Sequence, residues 1–392
     1  MITIQISIFI FINTFCSMHG AFRDFFLDDY WSAENIVKRD GYRLEVHNVT
    51  TEDGYILTVH RIPGGKGAQP ILLMHGLLCN SALWLVSGRE QSLVYVLADQ
   101  GYDVWLGNNR GNNYGLNHIN LTTDDTEFWD FSFYEMAIYD LPAMINHIQN
   151  LTNQHPFYIG HSQGTTIFFL LAILQPDIAS LLKQPISLAP VAYVGGGESS
   201  LQLSVVSIMT TIFEVTQFFT NLQTFFTPSW WLPLFFLKLS CAVLSLGNYN
   251  CLNAVSSILG DERPELFDQA ILPAIITNFP AGTSLKNMYL YTQHVIFHRF
   301  NQFDYGATKN WQIYNSSIPP EFDLKKVTQP NVIFVADSDA FVDLPDLNKI
   351  LQLVPNIVDQ YIVNASGFTH LDFMWGITAK QLVYNKILEL VS

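Results

Sequence analysis

The chain reads as an α/β protein: a mostly parallel central sheet with helices on both faces and an inserted, mainly helical segment. Three observations predict this. Short apolar runs of strand length recur, and several lack polar alternation, as strands buried on both faces do. Helix-length segments fall between these runs, and strand–helix alternation indicates parallel crossover units. From about residue 192 to 314 the alternation stops in an apolar stretch with no clean strand, and afterwards it resumes.

The elements follow in order. Residues 44–49 and 56–61 alternate well enough to be strands, with a hairpin turn at Glu52-Asp53-Gly54-Tyr55. Gly64-Gly65-Lys66-Gly67 lacks phosphate-loop spacing and is a turn. Residues 71–74 are continuously apolar, which predicts a buried parallel strand ending in His75-Gly76-Leu77-Leu78. A helix over 93–100 leads into a strand at 102–106, and 133–150 reads as an amphipathic helix despite Pro142. Residues 157–159 form a β-prone run, and 165–174, apolar and free of Gly and Pro, suit a buried helix. Strands are expected at 186–189, 332–335 and 360–363, and a closing helix at 378–390.

Composition narrows the function classes. Of 392 residues, 49% are hydrophobic and only 14% charged, so the apolar excess needs a large core, a pocket or a lipid surface. The net charge of −15 argues against nucleic acid, whose phosphates it would repel. Residues 1–20 carry no charged side chain and hold an apolar run too short to span a bilayer comfortably. A cleaved signal peptide is expected there, the alternative being an uncleaved anchor. Asn48, Asn120, Asn150, Asn315 and Asn364 each begin a glycan acceptor sequence, which supports export through the secretory pathway, to the outside or to a lysosome. After loss of Cys16, Cys241 and Cys251 could close a small loop, leaving Cys79 unpaired and buried. Residues 225–247 are the most apolar part of the insertion, but Pro228, Pro233 and Lys238 interrupt them, so no transmembrane helix is expected. A cap over a pocket fits better than a separate helical domain. The expected organisation is a leader (1–20), a first core part (21–191), a cap (192–314) and a second core part (315–392).

Gly160-His161-Ser162-Gln163-Gly164 carries the chemistry. A Gly-x-Ser-x-Gly pentapeptide arises by chance in about one chain in ten of this length, so its flanks decide its meaning. Here a strand precedes it and a helix follows, the context of a nucleophile elbow that lifts the serine hydroxyl out of the sheet. Serine needs a base, and the base an acid that fixes its tautomer. His370 lies just before the closing helix, and Asp337, Asp339 and Asp343 follow the 332–335 strand, so an ordered serine–acid–histidine set is available. His75 and His161 belong to motif loops in which the backbone is expected to matter. The backbone N–H groups of Leu77 and Gln163 are candidates for the oxyanion hole.

Longer motifs carry a family resemblance. They include Thr51-Glu52-Asp53-Gly54-Tyr55, His75-Gly76-Leu77-Leu78, Tyr102-Asp103-Val104-Trp105-Leu106-Gly107-Asn108 and Arg110-Gly111-Asn112. Gly160-His161-Ser162-Gln163-Gly164-Thr165-Thr166, Pro280-Ala281-Gly282-Thr283-Ser284 and His370-Leu371-Asp372-Phe373 continue the series. The chain resembles the acid lipase family, on the α/β-hydrolase fold, along almost its whole mature length. It departs from the family pattern at Gly115 and Leu116. The resemblance implies that Asp339 is the acid, that no metal or other cofactor is needed, and that a lidded pocket takes lipid esters, triacylglycerols or sterol esters, at a lipid–water interface. A soluble short-chain esterase and a non-catalytic lipid-binding protein on the same fold are the alternatives.

Overall fold

The computed structural model describes residues 30–195, 224–225, 268–339 and 341–392. The expected leader, Cys241, Cys251 and most of the inserted segment lie outside these residues. Strands β1 (Glu45–Thr50) and β2 (Tyr55–Ile62) form an antiparallel hairpin at one edge of the sheet. Next come β3 (Pro70–Met74), helix α1 (Leu93–Asp99), β4 (Asp103–Leu106) and the short β5 (Asn117–His118). Helix α2 (Leu141–Thr152), β6 (Phe157–His161), helix α3 (Gln163–Leu174) and β7 (Pro185–Leu188) continue the alternation. Between β7 and the next sheet strand the described elements are mainly helical: α4 (Leu272–Asn278), α5 (Leu285–Phe297) and α6 (Ala307–Tyr314). A two-residue antiparallel pairing joins Thr224–Phe225 to Thr283–Ser284. Strand β8 (Asn331–Ala336), helix α7 (Leu344–Leu353), strand β9 (Ile357–Val363) and helix α8 (Asn385–Val391) complete the chain.

The sheet order is β1-β2-β4-β3-β6-β7-β8-β9, with β5 beside β2. Pairing is antiparallel through β1, β2 and β4 and parallel from β4 to β9. The period-two alternation of a strand explains the two cores. Leu72 and Met74 of β3 join Met144, Ile148, Phe168 and Leu171 on one face. Ile71 and Leu73 join Val94, Leu97, Val383 and Ile387 on the other. Because both faces are covered, the central strands read as unbroken apolar runs.

The expected helix over 133–150 forms, running to residue 152, but it is not a regular α-helix throughout. A capping box between Ser132 and Glu135 starts a first turn at Phe133–Glu135, and the chain then widens by a π-type turn at Met136–Asp140 before α2. Pro142 lies in the first turn of α2, where a missing N–H is tolerated. The wide turn presents Asp140 to Arg110, whose backbone N–H and Nε both donate to that carboxylate, at 2.9 and 2.8 Å. The same guanidinium donates to Asp53 at 2.6 and 2.8 Å and stacks over Tyr55. Arg110 and Asp140 are fully buried. Burial works against the guanidinium charge, but Asp140 and Asp53 hold its pKa above the ordinary value. One cation therefore fastens the hairpin turn, the loop after β4 and the widened helix. At the departure from the family pattern, a Cβ on Gly115 would lie 2.5 Å from the Asn109 carbonyl, so this turn has no room for a side chain.

Replacing Arg110 by Met strands Asp140 as an unpaired buried charge. Urea unfolding of R110M is expected to show a loss of about 3–5 kcal/mol relative to the wild type.

Candidate active site

At the end of β6 the chain reverses at Ser162, whose φ is 53° and ψ −118°. A non-glycine residue in such a conformation is strained by about 1–3 kcal/mol and needs surroundings that over-determine it. They do. The Ser162 N–H donates to the Leu188 carbonyl at 3.0 Å, beyond the end of the neighbouring β6–β7 pairing. Its carbonyl accepts from the Thr165 N–H at 2.8 Å and hydroxyl at 2.6 Å. A Cβ on Gly164 would lie 2.7 Å from the Met74 carbonyl, so α3 can approach β3 this closely only without a side chain there.

Asp339 and His370 come from separate loops, after β8 and after β9. Asp339 Oδ1 accepts from the N–H groups of Phe341 (2.8 Å) and Val342 (3.0 Å), and Oδ2 accepts from His370 Nδ1 at 2.8 Å. Both side chains are buried. Donation from Nδ1 to the carboxylate leaves Nε2 as the imidazole's lone-pair nitrogen. The His370 loop is folded by Asp372, whose carboxylate takes the Thr369 N–H at 2.7 Å and hydroxyl at 3.0 Å. Of the other two acids in this segment, Asp337 is exposed and Asp343 stands at the N-terminus of α7. The elbow and the His370 loop are stitched together by His161, whose Nε2 donates to the His370 carbonyl at 2.8 Å, with the two rings 4.9 Å apart.

The loop after β3 approaches from the other side. A Cβ on Gly76 would sit 3.5 Å from Ser162 Oγ, so the Gly76 backbone lies against the hydroxyl. The Gly76 carbonyl accepts from His75 Nδ1 at 2.8 Å and from the Cys79 N–H at 3.3 Å. His75 Nε2 in turn accepts from the Asn109 N–H at 3.2 Å and Asn112 Nδ2 at 3.1 Å, which fixes the tautomer. In a trans peptide C=O and N–H point opposite ways. Pinning the Gly76 carbonyl on His75 therefore aims the Leu77 N–H away from His75. The expectation that only the backbone matters at His75 and His161 is corrected here: both rings hold neighbouring loops in place. Burial lowers the His75 pKa to about 4 and the His161 pKa to about 3, the latter also through the nearby His370, so both rings are neutral at mildly acidic pH.

The Gln163 side chain is buried and anchored by Asn287 of α5, a partner that no sequence motif revealed. Cys79 is buried and unpaired. Among the described residues, no group of three or more His, Cys, Asp or Glu side chains is placed to hold a metal ion. A hydroxyl on a strained turn and an imidazole oriented by a carboxylate are the side-chain groups that acyl transfer uses.

This sheet and elbow define an α/β-hydrolase, and comparison with known proteins agrees. Residues 69–182 match the family described as alpha/beta hydrolase fold, and residues 33–88 match the partial alpha/beta-hydrolase lipase region. Human gastric triacylglycerol lipase is 37% identical over 379 residues, covering 93% of this chain and 89% of that protein. Rat lysosomal acid lipase/cholesteryl ester hydrolase is 36% identical over 376 residues, with 92% and 88% covered. Lipase 1 of Drosophila melanogaster is 35% identical over 366 residues, with 93% and 80% covered. Among solved structures, an epoxide hydrolase from Vigna radiata superposes with a TM-score of 0.51 at 14% identity, covering 89% of this chain and 98% of that one. A bacterial membrane phospholipase A gives 0.51 at 14%, with 97% and 98% covered. These two show the fold alone. The chain belongs to the acid lipase family of the α/β-hydrolases, and it is a carboxylic ester hydrolase of the lipase class.

Two outcomes follow from His75. In His75→Phe the Gly76 carbonyl loses the shorter of its two hydrogen bonds, so kcat is expected to fall about 10- to 100-fold with KM little changed, as measured on any ester the wild type turns over. The lowered pKa also has a stability sign. Between the ordinary histidine value of 6.5 and about 4, the unfolded chain takes up a proton that the folded His75 refuses, so stability falls on acidification through that window. Chemical denaturation from pH 7 to pH 4 is expected to show a shallower loss in His75→Phe than in the wild type.

Proposed function

We propose that Ser162 is the nucleophile, His370 the general base and acid, and Asp339 the residue that orients it. The Leu77 and Gln163 N–H groups form the oxyanion hole in this reading. The observation that carries it is the 2.8 Å bond from His370 Nδ1 to Asp339, on loops stitched by His161 to the elbow that holds Ser162. Ser162 Oγ attacks the ester carbonyl carbon while His370 Nε2 takes its proton. The carbonyl π pair moves onto oxygen, facing the two N–H donors. Collapse of the tetrahedral intermediate breaks the bond to the leaving alcohol, which takes the proton from His370. Water, deprotonated by His370, then attacks the acyl-enzyme, and carboxylic acid and free Ser162 are released.

The substrate in this reading is a long-chain lipid ester, a triacylglycerol or sterol ester taken from a lipid–water interface. Relatives named for triacylglycerol and for cholesteryl ester hydrolysis support it, as does the apolar insertion over 192–314, read as the lid. The secretory route is supported by the exposure of all five acceptor asparagines, Asn48, Asn120, Asn150, Asn315 and Asn364. Among the described residues no helix is long and apolar enough to cross a membrane. A loop closed by Cys241 and Cys251 belongs to the same proposal.

A serine-directed phosphonate probe should label the purified protein at Ser162. In Ser162→Ala both labelling and ester hydrolysis should vanish, and persistence of either removes the assignment. Assayed at acidic and neutral pH, the wild type should hydrolyse emulsified long-chain triacylglycerol or sterol ester. Turnover of short soluble esters alone would contradict the lipid reading.

A further inference from the structure

The segment Pro280-Ala281-Gly282-Thr283-Ser284, which leads into α5, has no part in the scheme above, yet it delivers a buried side chain to the elbow. Ser284 caps α5: its hydroxyl accepts from the Asn287 N–H at 2.9 Å and donates to the Phe131 carbonyl. The capped turn places Asn287, fully buried, between two other parts of the fold. Asn287 Oδ1 accepts from the Phe133 N–H at 2.8 Å, and Nδ2 donates to Thr283 Oγ1 at 3.1 Å and to Gln163 Oε1 at 2.9 Å.

The direction of this chain of bonds is not arbitrary. The Phe133 N–H can only donate, so the Asn287 oxygen must face it and the Asn287 amide nitrogen must face Gln163. Gln163 must then present its oxygen, which turns its own Nε2 toward Met136 Sδ, 3.5 Å away. The backbone at Phe133 thus dictates, through Asn287, the orientation of a buried primary amide on the residue whose N–H faces the oxyanion.

We infer that Asn287 is a positioning residue for the oxyanion hole, acting through the Gln163 side chain and coupling α5 to the reaction centre. The inference rests on the role proposed for the Gln163 N–H. Gln163 is the first residue of α3, where backbone N–H groups have no intrahelical partner. With its side chain tethered to α5, the residue is held in place at the head of α3. Cut from either end, the tether no longer holds the residue, and its N–H shifts out of line with the oxyanion. The effect is felt in the transition state rather than in substrate binding, and it leaves the Asp339–His370 bond untouched.

The test uses the full-length enzyme on an ester turned over by the wild type, with phosphonate labelling followed in parallel. Asn287→Leu is expected to lower kcat about 10- to 100-fold. KM should stay close to wild type, the labelling rate should fall by a similar factor, and the shape of the pH profile should not move. Asn287→Asp keeps an acceptor for the Phe133 N–H, and Gln163 can turn its amide over to donate to it, so this variant should regain most of the lost kcat. Gln163→Leu cuts the same bond from the other end while keeping the backbone donor, and it carries the test if Asn287→Leu does not fold. It should show the same kcat loss. Normal kcat in either leucine variant, or a loss expressed entirely in KM, overturns the inference. A folded Asn287→Asp as impaired as Asn287→Leu overturns it too. A wild type inert to both ester and phosphonate would instead remove the underlying catalytic reading, so the two failures are distinct.

Discussion

The constraint on which the site depends is the left-handed backbone of Ser162. At φ 53° and ψ −118° the chain leaves a buried strand and enters a buried helix within one residue, and the serine side chain is left at the apex. That geometry is uphill by about 1–3 kcal/mol and survives because the packing permits nothing else. Gly164 lies too close to Met74 for any side chain, and the Leu188 carbonyl takes the Ser162 N–H. The strain is thus supported by β3 and β7, the strands on either side of β6.

Around that apex the fold brings in loops from distant parts of the chain and fixes each with buried hydrogen bonds. His75 pins the Gly76 peptide, His161 pins the His370 loop, and Asn287 pins Gln163. The two imidazoles do this as neutral groups, because burial depresses their pKa values well below the ordinary range. A protonated ring at His75 could not accept from Asn109 and Asn112 through Nε2. Arg110 plays a comparable part farther out, where one buried cation between two carboxylates joins the sheet edge to the widened helix. Buried hydrogen bonds of this kind rigidify the loops they join.

Much of the architecture was legible in the sequence because the central strands are buried on both faces. Their apolar runs fall within one or two residues of the observed strands at β3, β6, β7 and β8. The elbow was legible for a local reason, since strand, glycine, serine, glycine and helix are contiguous. The meeting of Asp339 with His370 followed the order of late loops that the family resemblance implied. The wide turn at Met136–Asp140 was not legible, because it answers to Arg110, a partner that periodicity does not reveal. The side-chain roles of His75 and Asn287 were hidden for the same reason. His75 takes its tautomer from Asn109 and Asn112, and Asn287 stands 124 positions from Gln163. Helix α7 carried a readable start, with Asp343 before Leu344-Pro345, but the three acidic residues around it drew the reading toward chemistry instead.

The central claim is that the strained serine, the Gly76 loop and α3 are pre-arranged around one oxygen. Its most direct test is a crystal structure of the protein with a phosphonate bound covalently to Ser162. The account predicts the phosphonyl oxygen at about 2.7–3.1 Å from both the Leu77 and the Gln163 backbone nitrogens. His370 should remain bonded to Asp339 in that adduct. An adduct whose oxygen points to solvent, or is held by side chains instead of those two amides, would contradict it.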